Sequence, residues 1–277
     1  DPATATATYL VHDPASGAAA VIDPVLDFNP RNGRTSTRSA DAILAALAQG
    51  GLRLAWLLET HVHADHLSAA HYLRGKTGAP IVIGADIITV QAMFAPLFEA
   101  DDVTPDGSQF DRLVEDGAQL PLGELAIRVL HTPGHTPACV SYHIGDALFV
   151  GDTLFMPDYG TARCDFPGGS AARLYSSIRR LLALPGQTRV FVGHDYLPAG
   201  RDHHRFETTL AEQNASNIHI HAGVAEAEFV AMRTTRDAGL DAPALLLPSL
   251  QVNIRAGALP PPSAGGHTYL KLPVNAL

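Results

Sequence analysis

Seven side chains of types that bind metal ions occur in four short blocks of the chain. They are His61, His63, Asp65, His66, His135, Asp152 and His194. Imidazole and carboxylate ligands in combination suit Zn, Fe or Mn. His61 and His63 alternate by two, so an extended or tightly turned segment points both side chains the same way. Coincidence is a fair explanation of any one block, but four blocks in this order predict a metal site.

Each block follows a short apolar run that is a candidate strand. The runs are Leu54–Leu58, Ala126–Leu130, Ala147–Val150 and Arg189–Val192. Strand ends that deliver imidazole and carboxylate groups to one point are a common way to build a transition-metal site. Gly134 and Gly151 stand directly before two of the candidate ligands, where glycine lets the backbone turn sharply. The sequence therefore predicts the site at the ends of strands.

The elements around these blocks indicate an α/β protein. Residues 6–12 and 18–22 predict a hairpin, and 171–184 predicts a helix with Ser170 as its N-cap. Strands and helices then alternate, which favours sheets enclosed between helices. Glu207–Ser216 and Val224–Met232 are predicted helices. We expect one domain over residues 1–277, with a core of about 6–200 and a C-terminal helical extension of about 201–277.

Composition and charge exclude several classes of partner. The net charge of −9 argues against binding to nucleic acid or to an anionic membrane, since both require a basic surface. No apolar run reaches the roughly 18 residues needed to cross a bilayer, and no basic, apolar-centred leader opens the chain. The chain has two cysteines, Cys139 and Cys164, which are too few for a disulfide framework. We expect reduced thiols in a cytoplasmic protein.

The HxHxDH motif at 61–66 and the later PGH, GD and GH blocks resemble those of the metallo-β-lactamase superfamily. The resemblance covers about residues 6–200. It implies an αββα sandwich with the metal site at one edge of its two sheets. Carried over by position, the first metal site has His61, His63, His135 and Asp152. The second has Asp65, His66, Asp152 and His194.

A finer resemblance is to the persulfide dioxygenases, and within them to the bacterial branch. It rests on Ala64 and on the segments 131–136, 160–166, 174–178 and 193–196. It implies one Fe(II) per chain, glutathione persulfide and O₂ as substrates, and three open coordination positions for thiolate, oxygen or water. The implied iron ligands are His61, His135 and Asp152. The implied catalytic residues around them, which orient water and hold charge, are His63, Asp65, His66 and His194.

Glutathione carries two carboxylates, so this resemblance requires cations near the iron. Arg163, Arg255 and Lys271 are candidates, and Tyr196 is a candidate hydrogen-bond donor to the substrate. Each has an ordinary alternative. Arg163 can instead brace its loop by a fork with Asp165, Tyr196 can simply pack, and the other two can be surface charges.

A second function stays open because all seven ligands of a two-metal hydrolase are present. Such a protein, similar to glyoxalase II, would hold two Zn or mixed metals and cleave glutathione thioesters. Ala64, where glyoxalase II tends to carry a bulky aromatic residue, and the 160–166 segment favour the dioxygenase. Dimers are common among such proteins, so a homodimer is one expectation, although no stretch of the sequence identifies an interface.

Overall fold

Two β-sheets carry the strands after which the predicted ligands follow. The computed structural model describes residues 1–276. The strands of the first sheet, in spatial order, are β1 (Tyr9–His12), β2 (Ala18–Ile22), β5 (Arg53–Leu58), β7 (Ile81–Gly84) and β8 (Arg112–Val114). β1 and β2 form the hairpin that the sequence predicts, and the remaining pairs are parallel. A small three-stranded sheet lies beside it, formed by β3 (Val25–Asn29), β4 (Arg34–Ser36) and β6 (Leu67–Ser68).

The second sheet has six strands and carries three of the four ligand blocks. It runs β14 (Glu207–Thr209), β13 (Arg189–Phe191), β12 (Ala147–Phe149), β11 (Val140–Ile144), β10 (Leu125–His131) and β9 (Gln119–Leu122). β10 and β12 are both antiparallel to β11, and β12 is parallel to β13. The three strands therefore run in the same direction, and their carboxyl ends lie at one edge of the sheet.

The two sheets pack face to face, and this is seen in the burial of β2 on both of its faces. Ala18, Ala20 and Ile22 share an apolar cluster with residues of the second sheet, such as Val129. The alternate residues of β2 lie in a different cluster with the helices on the outer face. Side chains that alternate across a strand produce this arrangement when both faces are covered.

Helices cover the outer face of each sheet. α1 (Arg38–Gly50), α2 (Ala70–Thr77) and α3 (Ile87–Leu97) contribute to the cluster beside the first sheet. α4 (Ala171–Leu182) covers the second sheet through an apolar stripe that includes Leu174 and Ile178. The Ser170 side chain accepts a hydrogen bond from Arg173 N, which confirms the predicted N-cap. The layers are therefore helix, sheet, sheet and helix, as predicted.

Three more helices follow residue 200, namely α5 (Leu210–Ser216), α6 (Glu226–Asp237) and α7 (Leu246–Asn253). The predicted helix over Glu207–Ser216 is wrong at its beginning. Its first three residues pair with β13 as β14, where β-branched threonines are favoured. Thr209 then caps α5 by accepting a hydrogen bond from Glu212 N. α7 was not predicted, and none of the helices within residues 1–276 is long and apolar enough to cross a membrane.

The loop before α4 contains a position that only glycine tolerates. Gly134 has φ +143°, and a Cβ there would lie 2.3 Å from the backbone nitrogen of Leu174. We expect Gly134→Ala to lower the free energy of unfolding by about 3 kcal/mol or more, since backbone strain and steric overlap each cost about 1–3 kcal/mol. Gly145→Ala is the control, because φ is +60° there and no atom lies within 4 Å. Urea denaturation should show that the control loses only about 1–2 kcal/mol of the free energy of unfolding. Equal losses in the two variants would contradict the packing argument.

Candidate metal centre

All four ligand blocks meet where the strands end. The donor atoms of His61, His135 and Asp152 lie within 4.8 Å of one another, and so do those of His63, Asp65 and His66. His194 joins both groups, because its Nε2 lies 3.4 Å from Asp152 Oδ1 and 3.3 Å from Asp65 Oδ2. Six of the seven residues are buried, and Asp65 is half-buried. The structure thus brings together every predicted ligand.

Each of two predicted iron ligands is oriented by a hydrogen bond at the ring nitrogen that faces away from the centre. His135 Nδ1 donates to the carbonyl oxygen of Arg163 over 2.7 Å, and His61 Nδ1 lies 2.9 Å from Thr60 Oγ1. Both rings therefore direct Nε2 toward Asp152, at 3.8 Å from Oδ2 for His61 and 3.7 Å for His135. Metal-binding histidines are commonly oriented in this way.

His63 is held by two buried carboxylates. Its Nε2 lies 3.1 Å from Asp23 Oδ1 and 3.1 Å from Glu59 Oε2. Burial disfavours the charged ring, but the two carboxylates outweigh burial and raise the pKa of His63 well above its usual value. Asp23 also accepts hydrogen bonds from Thr60 N and Thr60 Oγ1. Asp23 therefore fixes His63 directly and His61 through Thr60.

Several buried nitrogen and oxygen atoms that could bind a metal ion have no hydrogen-bond partner. Within residues 1–276, six buried side-chain atoms have no hydrogen bond, and five of them belong to the predicted ligands. These five are His61 Nε2, His63 Nδ1, Asp65 Oδ2, His66 Nε2 and Asp152 Oδ1. An unsatisfied buried polar group costs about 1–3 kcal/mol. Five such atoms around one point fit a centre that binds metal.

The protonation states of two histidines agree with metal binding. Burial, and then the nearby His63, lower the pKa of His61 well below its usual value. The same two causes lower the pKa of His66 to about 3, even though Asp65 opposes them. Both rings are therefore neutral, which is the form that binds a metal ion.

His194 behaves differently because carboxylates face it. Burial disfavours its protonated form, but the charges of Asp152 and Asp65 outweigh burial and raise its pKa. A proton on Nε2 would lie between the two carboxylates. His194 is thus placed to hold a proton, as His63 is.

A cavity of about 170 Å³ opens beside the centre. His135, Asp152 and Ala64 lie in its wall, together with Tyr159 and Tyr196. The ring of Tyr196 stacks on His194 at 5.3 Å between centroids and lies tilted against Tyr159 at 5.1 Å. Tyr196 therefore lies where the predicted contact with substrate requires it, in the wall of the cavity beside the centre.

Arg163 lines the same cavity, but its guanidinium group is already engaged. It forms a fork with Asp165, with both N···O distances 2.5 Å, and donates to the carbonyl oxygen of Asp241 over 2.6 Å. These contacts match the bracing role that the sequence offered as the alternative. The backbone carbonyl of Arg163, rather than its side chain, is the group that orients a ligand, because His135 donates to it.

Arg255 and Lys271 are not brought to this cavity. Arg255 is buried and forms a bidentate pair with Asp102, at 2.7 and 2.6 Å. Lys271 lies 2.9 Å from Glu99 Oε2. The expectation that these two cations bind substrate is corrected accordingly, because each is paired with a carboxylate elsewhere.

The residues that brace the ligand loops were not predicted from the sequence. Arg233 and Asp237 of α6 form a buried ion pair. Arg233 donates to the carbonyl oxygen of Thr161, and Asp237 accepts from Cys164 N. The pair holds the loop on both sides of Arg163, whose carbonyl group orients His135. Burial raises the pKa of the Cys164 thiol to about 12, so it stays protonated at neutral pH.

A second brace comes from α7. The side-chain amide of Asn253 donates to the carbonyl oxygens of His63 and His66, at 2.8 Å each, and its oxygen accepts from Ser68 N. Asp23 had one signal in the sequence, since it follows an apolar strand as the four ligand blocks do. Asn253 had none.

Comparison with known proteins decides the family. The sequence profile described as "Metallo-beta-lactamase superfamily" matches residues 1–194. The chain belongs to the metallo-β-lactamase superfamily. Membership and the ligand set together make it a metal-dependent enzyme of this superfamily, and the αββα fold that the resemblance implied is confirmed.

Relatives within the superfamily differ in the reactions that their names state. "Probable metallo-hydrolase" of Burkholderia pseudomallei is 55% identical, over 100% of this chain and 98% of its own. "Glyoxylase B2" of Dictyostelium discoideum is 50% identical, over 99% and 94%. The mitochondrial persulfide dioxygenase ETHE1 of Bos taurus is 30% identical, over 95% and 89%. The "Beta-lactamase hydrolase-like protein" of Xylella fastidiosa is longer, and this chain spans 64% of it at 51% identity.

A solved structure matches along almost the whole chain. The crystal structure of ETHE1 from Myxococcus xanthus superposes with a TM-score of 0.75 at 33% identity. The match covers 93% of this chain and 97% of the other. It therefore extends into the helices that brace the centre, beyond the part that the superfamily profile covers.

Substitution of single ligands tests which residues hold the metal. We expect His61→Ala, His135→Ala and Asp152→Ala each to lose the bound metal and activity together, because each removes a donor of the compact group. His63→Ala should retain most of the metal. Metal analysis of the purified variants measures this, with circular dichroism as the check on folding. If the alanine variant unfolds, His63→Gln replaces it, because the glutamine amide can still donate to Asp23 and Glu59. Loss of metal from a folded His63 variant would refute the assignment.

Proposed function

We propose that the chain is a persulfide dioxygenase that uses a single Fe(II) to oxidise the outer sulfur of glutathione persulfide. The reaction consumes one O₂ and one water and yields sulfite, glutathione and two protons. The persulfide loses four electrons in total, and O₂ accepts them. No other reductant or oxidant is needed.

The observation that carries the proposal is the compact group of His61, His135 and Asp152, with donor atoms within 4.8 Å of one another. Two histidines and one carboxylate are the ligand set of non-haem Fe(II) oxygenases. A ferrous ion held there would supply open coordination positions at which the persulfide sulfur and O₂ meet. His63 does not belong to this group, because its donor atom lies with those of Asp65 and His66.

The remaining residues have roles that follow from their contacts. His194 holds a proton at Nε2 between Asp65 and Asp152, and it would exchange that proton as the oxidised sulfur is hydrolysed. The aromatic side chains of Tyr159 and Tyr196 line the cavity in which the substrate would lie. Ala64 leaves room for substrate beside the ligands, where a bulky residue would fill the cavity.

Two relatives at 30% and 33% identity support the same reaction. The bovine persulfide dioxygenase and the Myxococcus ETHE1 structure both match more than nine-tenths of this chain. Both matches therefore include α6, which forms part of the cavity wall. The relatives at 50–55% identity favour a different reaction by name, since two of them are called a metallo-hydrolase and a glyoxylase.

The second candidate is therefore a hydrolase of glutathione thioesters that holds two metal ions. The orientation of Asp152 favours it. Oδ2 faces His61 and His135, whereas Oδ1 faces His194, as expected of a carboxylate that bridges two ions. Asp65 and His66 also present unpartnered donor atoms on that side. Two ions would activate water for attack on the thioester carbonyl.

One preparation distinguishes the two candidates. We expect protein purified without oxygen and without chelators to contain about one Fe per chain. An oxygen electrode should record O₂ uptake when glutathione persulfide is added, with sulfite formed in equal amount. Asp152→Ala is the matched inactive control. Two metal ions per chain, cleavage of a glutathione thioester and no O₂ uptake would support the hydrolase instead.

A further inference from the structure

Three arginines line the cavity beside the centre, and two of them are already neutralised. Arg163 is paired with Asp165, and Arg233 is paired with Asp237 at 3.0 and 2.7 Å. Arg236, in the last turn of α6, is the third. Its side chain is exposed and forms no hydrogen bond or ion pair with any residue of the described 1–276 range.

The charge of Arg236 acts on the cavity wall. Burial first, and then the charges of Arg233 and Arg236, lower the pKa of His219 to about 4. His219 accepts a hydrogen bond from Thr161 N, and Thr161 lines the cavity. Arg233 and Arg236 are three residues apart on one helix, where like charges repel. Asp237 compensates Arg233 and accepts from Cys164 N, so Arg236 is left without a counter-charge.

The acidic residues of the cavity do not supply that counter-charge. Asp65 and Asp152 face the histidines of the metal centre. In a protein of net charge −9, an uncompensated cation at the mouth of a cavity attracts an anion to that place. The ordinary alternative is that Arg236 only interacts with the dipole at the carboxyl end of α6. In that case its removal would not alter ligand binding.

The size of the cavity indicates where the anion lies. Cavities that enclose a drug-sized ligand have about 300–1,000 Å³, whereas this one has about 170 Å³. It has room for the sulfur end of a tripeptide thiol but not for the whole molecule. The rest of the substrate would then lie at the mouth, on the side of the exposed lining residues Arg236 and Leu240.

We propose that Arg236 binds a carboxylate of the substrate at the mouth of the cavity, so that the site selects small thiol derivatives that carry a carboxylate over neutral ones. This inference rests on the proposed function only in taking the sulfur of the substrate as the atom that reacts. A glutathione thioester would use the same anchor. Arg236 is a residue that determines specificity and takes no part in the oxidation itself.

Binding of glutathione to the iron-loaded protein, measured by anaerobic calorimetry, tests the anchor without turnover. We expect Arg236→Gln to raise the Kd for glutathione about tenfold, as for loss of one charge-assisted hydrogen bond. Arg236→Lys should recover part of the affinity. Glutathione diethyl ester, which has no free carboxylate, should bind the wild type and Arg236→Gln equally weakly.

Arg173→Gln is the matched control, because Arg173 is an exposed arginine of α4 outside the cavity wall. It removes the same charge and should leave the Kd for glutathione unchanged. In turnover, Arg236→Gln should raise the KM for glutathione persulfide about tenfold with kcat within about twofold. An unchanged Kd in Arg236→Gln, or equal binding of glutathione and its diester by the wild type, would overturn the proposal.

The two proposals can fail separately. If the wild type consumes no O₂ but its Kd for glutathione still depends on Arg236, the dioxygenase proposal fails and the anchor stands. If the wild type oxidises glutathione persulfide and Arg236→Gln has an unchanged KM and Kd, the anchor fails and the dioxygenase stands.

Discussion

The centre depends on one constraint on hydrogen bonding, namely that each imidazole binds the protein through one ring nitrogen and leaves the other free. A single buried carboxylate meets this requirement for the first two histidines. Asp23 contacts His63 directly and fixes His61 through the hydroxyl of Thr60. Each buried polar atom without a partner costs about 1–3 kcal/mol. A metal ion bound by these atoms would remove that cost.

The helices after residue 200 are part of this arrangement rather than an appendage to it. Asn253 of α7 holds the backbone of the HxHxDH block, and the ion pair of Arg233 and Asp237 holds the loop whose carbonyl group orients His135. α6 also presents Arg236 to the cavity. The same helix therefore supports a ligand and forms the surface where the substrate would be selected.

The ligands and the layers were predictable because their signals are local, as each block follows its own strand. The supporting residues were not, because their partners are distant in sequence. Asn253 contacts a loop 187 residues away, and Arg255 finds Asp102 across 153 residues. No local pattern distinguishes an arginine paired in this way from a free one. Arg236 was missed for the same reason, since only the packing of α6 reveals that its neighbours are neutralised.

The number of ions bound distinguishes the dioxygenase from the hydrolase, because Asp152 has the orientation to bind either one ion or two. The most direct measurement is an anaerobic calorimetric titration of metal-free protein with Fe(II). A single-iron centre predicts one tight equivalent per chain, lost in His135→Ala and retained in His66→Ala. Two equivalents of similar affinity, one of which disappears in His66→Ala, would contradict it.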